Sequence, residues 1–143
     1  MESSSFLFPL KPYLEAFTER DPALRLNLLA QGLTPDAEIC GPTRIFAGYA
    51  EISEKIAGFL KNWPECRLVL ASGVVCFGNA GHIAKAIVDS KGSVLASGHS
   101  VVELAPDGRI SRVLAFWGPA PALPESWPSF LTTAVVQDGP SAA

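Results

Sequence analysis

The hydrophobic positions of this chain change period partway along. Up to Pro64 they recur at helical spacing, and from Cys66 to Trp117 they alternate. Leu10, Tyr13, Leu14 and Phe17 mark one stripe of a first helix, entered through Phe6-Leu7-Phe8-Pro9. Asp21-Pro22 joins an N-cap to a first-turn proline, which predicts a second helix that turns Leu24, Leu28 and Leu29 inward and stops at Gly32. Asp36-Ala37-Glu38-Ile39-Cys40 and Arg44-Ile45-Phe46 read as short extended pieces on either side of Gly41-Pro42. A third helix is expected from Tyr49 to Trp63, with Ile52, Ile56, Phe59, Leu60 and Trp63 at helical spacing and Pro64 as its stop.

The alternating half predicts four long strands, residues 67–77, 81–89, 93–104 and 110–117. Turns at Gly78-Asn79-Ala80, Ser90-Lys91-Gly92 and Pro106-Asp107-Gly108 join them, the last through an Asp-Gly hairpin signal. Helices first and an antiparallel meander afterwards is an α+β plan. Residues 1–9 read as an N-terminal arm and 10–118 as a single domain. Residues 119–143 read as a proline-rich tail that only Trp127 and Phe130 would pin to the body.

Charges then assign the strand faces. Lys85 and Asp89 mark an outer face, which turns His82, Ala84, Ala86 and Val88 inward. Arg112 leaves Ser111, Val113, Ala115 and Trp117 inside, and Glu103 leaves Ser100, Val102 and Leu104 inside. His99 points outward by the same rule unless a bulge at Gly98 re-aims it. Small residues at Ala84, Ala86 and Ala115, opposite helices carrying Tyr13, Phe17, Ile56 and Phe59, predict an apolar pocket with Trp117 in its wall. The opposite face, with Ile83, Ile87, Val101, Leu114 and Phe116, is also apolar, so a homodimer through the outer face of the sheet is expected.

Composition narrows the possible partners. A hydrophobic share of 48% against 17% charged residues exceeds what a minimal core needs, in keeping with a pocket and an interface. A net charge of −3 with 11 basic residues scattered along the chain offers no phosphate-binding stripe, so nucleic acid is not an expected partner. Cys40, Cys66 and Cys76 lack metal or disulfide spacing and read as small buried hydrophobes in a reducing compartment. No apolar run is long enough to span a bilayer and Met1-Glu2-Ser3-Ser4-Ser5 lacks a basic start, which predicts no membrane association and a cytoplasmic protein. Neither ligand spacing nor a phosphate loop is present, so no metal and no cofactor are expected.

Four segments, in this order of elements, carry a resemblance: Tyr13-Leu14-Glu15-Ala16-Phe17, Asp36-Ala37-Glu38-Ile39, Phe46-Ala47-Gly48-Tyr49-Ala50-Glu51-Ile52 and Asp107-Gly108-Arg109-Ile110. Over residues 10–118 the chain resembles the nuclear transport factor two-like superfamily, and within it the SnoaL-like polyketide cyclases and ketosteroid isomerases. The resemblance implies a cone-shaped α+β barrel: a strongly curved antiparallel sheet, mixed at one edge, wrapped around three N-terminal helices. Tyr13 falls where ketosteroid isomerases place the tyrosine that donates to a developing oxyanion, and Trp117 where an aromatic lines the steroid site. Gly41 and Ser100 fall where those enzymes carry carboxylates, so steroid isomerisation by their route is not implied.

The polar residues left for chemistry are His82, His99 and Tyr13, in a pocket walled by Phe17, Ile56, Phe59, Ala84, Ala86, Ser100, Val102, Val113 and Trp117. An imidazole near its ordinary pKa removes a proton next to a carbonyl, while a hydroxyl steadies the enolate oxygen. The expected function is a cofactor-independent isomerase or cyclase acting on a small hydrophobic carbonyl compound, polyketide- or terpenoid-like. Two alternatives stay open: a non-catalytic ligand-binding or assembly module of the same fold, and a hydrolase or dehydratase that would need Asp36 or Glu38 to face inward.

Overall fold

The structure is a computed structural model that describes residues 2–133. Helix α1 (Ser4–Ala16) starts inside the segment read as an arm and carries Pro9 and Pro12 in its interior. Each proline removes a backbone donor, so this helix depends on packing, and Phe6 and Leu10 are fully buried. Helix α2 (Pro22–Gly32) begins under Asp21, whose carboxylate accepts from the backbone N–H groups of Ala23 and Leu24. At its other end Gly32 lies against α1, where a Cβ would sit 2.6 Å from the Pro9 carbonyl oxygen. Only glycine allows so close a helix crossing.

Leu29 of α2 is buried and Leu28 partly so, but Leu24 is exposed, contrary to expectation. Arg25 takes the buried place instead. Its guanidinium donates to Ser53 Oγ and to the Glu19 carbonyl, each at 2.9 Å. The first turn of α2 thus faces a polar contact on helix α3 (Gly48–Asn62), which a leucine cannot make.

Strands β1 (Leu33–Cys40), β2 (Ile45–Ala47), β3 (Arg67–Leu70), β4 (Val75–Phe77), β5 (Ala80–Val88), β6 (Val94–Leu104) and β7 (Ile110–Trp117) form one open sheet. Its order is β2-β1-β7-β6-β5-β3, with β4 also paired to β5. All pairs are antiparallel except β1 with β7, which gives the mixed edge. The single strand expected over residues 67–77 is two strands, because Ser72-Gly73 interrupts it and the Ser72 hydroxyl accepts the Ala84 N–H that a ladder carbonyl would otherwise take. The irregularity between β6 and β7 lies between Glu103 and Leu104, beside the hairpin turn, where Gly108 adopts φ +90. At Gly98 the ladder runs on unbroken, so no bulge re-aims His99.

The face assignment holds on β6 and, from Val113 onward, on β7, where Ile110 rather than Ser111 enters the core across the irregularity; it fails on β5. Ser100, Val102 and Leu104 are buried on the inner face, as is Val113. On β5 the residues packed into the core are Ile83 and Ile87, with Lys85 buried between them on the same face. His82, Ala84, Ala86 and Val88 therefore belong to the outer face, although Ala86 and Val88 are themselves buried. Two physical reasons explain the reversal. The Lys85 stem packs as hydrocarbon, so its charge does not mark solvent. Asp89 belongs to the turn, where its carboxylate accepts from the N–H groups of Lys91 and Ser93.

The core sits between the inner face and the helices, around Phe6, Leu10, Leu29, Leu33, Ile39, Ile52, Ile56, Val102 and Ile110. After β7 the described chain is exposed, with one 3-10 turn at Ser129–Leu131. Trp127 and Phe130 are exposed as well, so neither pins the tail. The rest of the expected tail, residues 134–143, lies outside the described residues.

Candidate functional site

Between α1, α3 and the inner face of the sheet lies a cavity of about 630 Å³. Its aromatic wall is built by helix spacing. Tyr13 and Phe17, one turn apart on α1, meet edge to face at 5.3 Å, and Phe17 meets Phe59 of α3 in the same way at 5.4 Å. The opposite wall comes from β5 and β7, with Lys85, Ile87 and Trp117.

Lys85, Gly98 and Trp117 form one row across three strands. A side chain on Gly98 would collide with the Phe116 carbonyl oxygen, and its absence leaves a gap over which the lysine and the indole meet. The Lys85 ammonium lies 4.1 Å from the Trp117 ring centroid. Lys85 is only 5% exposed. Among the described residues its ammonium has no hydrogen bond or ion pair. Burial, with the like charge of Lys55 adding to it, pushes its pKa down to about 8.

Lys55 reaches the same cavity from α3, its ammonium 5.2 Å from the Phe46 ring centroid, and burial lowers its pKa too. Burial raises the pKa of the Tyr13 hydroxyl, which keeps it protonated as a donor. The polar groups of this largely apolar chamber are therefore an amine of lowered pKa, a second cation, a phenol, the side chains of Asn62 and Ser97, and the exposed Glu54 at the rim. Such a set can accept a proton at Lys85, donate a hydrogen bond from Tyr13 and hold a negative charge.

Of the residues expected at the site, Tyr13, Phe17, Phe59 and Trp117 line this cavity. Ile56, Ser100, Val102 and Val113 are buried in packed core and do not reach its wall. Ala84 and Ala86 lie on the other side of the sheet. So do both histidines, which corrects the inward placing of His82. Their exposed rings stack on each other, centroids 5.1 Å apart at 22°, because residues diagonal across the β5–β6 pair share a face. Neither imidazole reaches the cavity. Asp36 is exposed and Glu38 shares the outer face with Arg112 and Glu103, so neither supplies the inward carboxylate that a hydrolase would need.

Lys85 and Lys55 were not expected at the site, yet a signal for each was present. Lys85 is flanked at i−2 and i+2 by Ile83 and Ile87, which share its face. Lys55 continues the buried stripe of α3 between Ile52 and Phe59 at helical spacing. Both charges lie on faces whose neighbours are apolar, and that context outweighs the charge.

Among the described residues no cluster of His, Cys and carboxylates is arranged to hold a metal ion, and no helix is long and apolar enough to cross a membrane. Cys66 is buried, Cys40 and Cys76 are half-buried, and none forms a disulfide.

No family profile and no curated protein matches the sequence. Solved structures do match. A SnoaL-like protein from Agrobacterium tumefaciens, described as a proposed isomerase, is 27% identical with a TM-score of 0.72, over 81% of this chain and 99% of the other. A proposed polyketide cyclase from Sinorhizobium meliloti is 15% identical with a TM-score of 0.61, over 81% of this chain and 100% of the other. A SnoaL-like protein of unknown function from Burkholderia thailandensis is 14% identical with a TM-score of 0.61, over 83% and 99%. The chain has the SnoaL-like, nuclear transport factor two-like fold: among the described residues, three α-helices against an open, mixed sheet of seven strands.

Proposed function

We propose that the chain is a cofactor-independent isomerase or cyclase that moves a proton within a small hydrophobic carbonyl compound held in the cavity. The observation that carries this reading is Lys85, an amine with a lowered pKa and no anionic partner, beside a protonated phenol and an aromatic wall. In this mechanism the neutral amine takes a proton from the carbon next to the carbonyl, and the Tyr13 hydroxyl donates to the enolate oxygen. An isomerase then returns the proton from the Lys85 ammonium to a different carbon. In a cyclase the enolate carbon attacks a second carbonyl of the same molecule, and the resulting alkoxide takes the proton. Both outcomes conserve protons and electrons without a cofactor. The proposed activities of the Agrobacterium and Sinorhizobium proteins support this class of reaction on this scaffold.

The test is deuterium incorporation from heavy water into hydrophobic ketones and β-diketones, followed by NMR. Catalysed exchange is expected, falling about 100-fold in Lys85→Met and about tenfold in Tyr13→Phe. Exchange that is equally fast in Lys85→Met would refute the assignment. Binding without any exchange would favour a ligand carrier built on the same cavity. The outer face supports a homodimer, since Val75, Phe77 and Phe116 are 74%, 90% and 58% exposed there. Light scattering should show a dimer that Phe77→Asp turns into a monomer.

A further inference from the structure

Lys55 and Lys85 enter one cavity from two walls, the first from α3 and the second from β5. Among the described residues neither ammonium has an ion pair or a hydrogen bond, and both rest against aromatic rings instead. Their charges also act on each other, since Lys55 weakens the hold of Lys85 on its proton. The titratable groups facing Lys85 are Tyr13 from α1 and Glu54 and Lys55 from α3, while β3, β6 and β7 line the cavity with none. Glu54 is exposed at the rim and pairs with neither lysine. Two like charges facing one apolar space are costly unless an opposite charge joins them.

The two lysines differ in depth. Lys85 is buried behind Trp117, whereas Lys55 is half-exposed beside Phe46. An occupant carrying a carboxylate keeps that group nearer solvent and its carbonyl deeper in. We propose that the ligand of this cavity is a keto acid, whose carboxylate pairs with Lys55 while its carbonyl end lies at Lys85 and its apolar body packs on Phe17, Phe59 and Trp117. This rests on the reading of the cavity as a site for a small carbonyl compound, and it makes Lys55 the residue that selects the charged substrate. Pairing Lys55 removes the repulsion at Lys85 but leaves burial, the larger cause of its lowered proton affinity, in place. Lys85 then remains able to act as a base.

Calorimetric titration with benzoylpropionate and with its uncharged amide tests the proposal on the whole chain. The keto acid is expected to bind about tenfold more tightly than the amide, the usual effect of one charge-assisted hydrogen bond. This preference should shrink as salt is raised, vanish in Lys55→Met and persist in Lys55→Arg, while amide binding changes little. Equal affinity of the wild type for the two compounds overturns the charge selection and leaves the cavity reading standing. A preference that survives Lys55→Met also overturns it. If neither compound binds, the small-molecule reading of the cavity fails with it.

Discussion

His82 and Lys85 stand three residues apart on β5, on opposite faces of one strand. The histidine is exposed and its ring stacks on His99, on the same outer face. The lysine is buried, faces an aromatic wall and has lost much of its proton affinity. By residue type alone the histidine is the better catalytic candidate, because its ordinary pKa is near neutrality. Environment reverses the order. An ammonium surrounded by hydrocarbon loses proton affinity, because burial penalises its charged form. On a strand, the neighbours two residues away therefore say more about a titratable group than its own charge does.

Gly98, which sits between the two residues of the lysine–indole row, is the position where a substitution does most damage. Gly98→Val forces a Cβ into the Phe116 carbonyl, so a loss of about 3 kcal/mol or more is expected in urea unfolding. Lys85→Met should act in the other direction on stability. Replacing an unpaired buried charge with an apolar side chain of similar length is expected to add about 1 kcal/mol, even as proton exchange into substrate falls. A variant that both destabilises the fold and leaves exchange intact would place Lys85 in a structural role.

The buried lysine also gives the pH dependence of stability a definite sign. The unfolded chain holds the Lys85 proton up to the ordinary value of 10.5, whereas the folded chain releases it near 8. Between those values the unfolded state binds more protons, so stability rises with pH. The penalty is full below about 8 and is relieved as pH climbs toward 10.5. Tyr13 opposes this above its ordinary value of 10.0, where the unfolded phenol ionises first and stability falls again. The urea midpoint should therefore rise from pH 8 toward pH 10 and then turn over, with the rising limb reduced in Lys85→Met. The smallest effect belongs to the outer face. His82→Ala and His99→Ala should each change stability by less than about 0.5 kcal/mol and leave ligand binding and exchange unaltered. A tenfold loss of exchange in either variant would return the chemistry to the histidines.

Much of the architecture is legible in local pattern. Asp21-Pro22 starts α2, Gly32 ends it, the Ile52–Ile56–Leu60 stripe buries α3, and Pro106-Asp107-Gly108 turns the last hairpin, all as the residues predict. The aromatic wall is legible too, because Tyr13 and Phe17 lie one helical turn apart and face the same way as Phe59. Less legible are the break at Ser72-Gly73, where a side-chain hydroxyl takes over a ladder bond, and the first turn of α2, where Arg25 displaces Leu24 from the interior. In each case a partner distant in sequence, Ala84 or Ser53, makes the difference.

The type and order of the elements thus follow from short-range physics: caps, turns, prolines and the period of the apolar residues. The inner face of β5 follows from something else. The phase of an alternating strand has only two settings, and here pairing with β6 chooses the one in which Lys85 lies over Gly98 and beneath Trp117. No local rule states that choice, because a lysine stem is apolar enough to be buried and its charge polar enough to suggest that it is not. Packing among residues far apart in the chain decides it, and with it which amine, rather than which imidazole, faces the cavity.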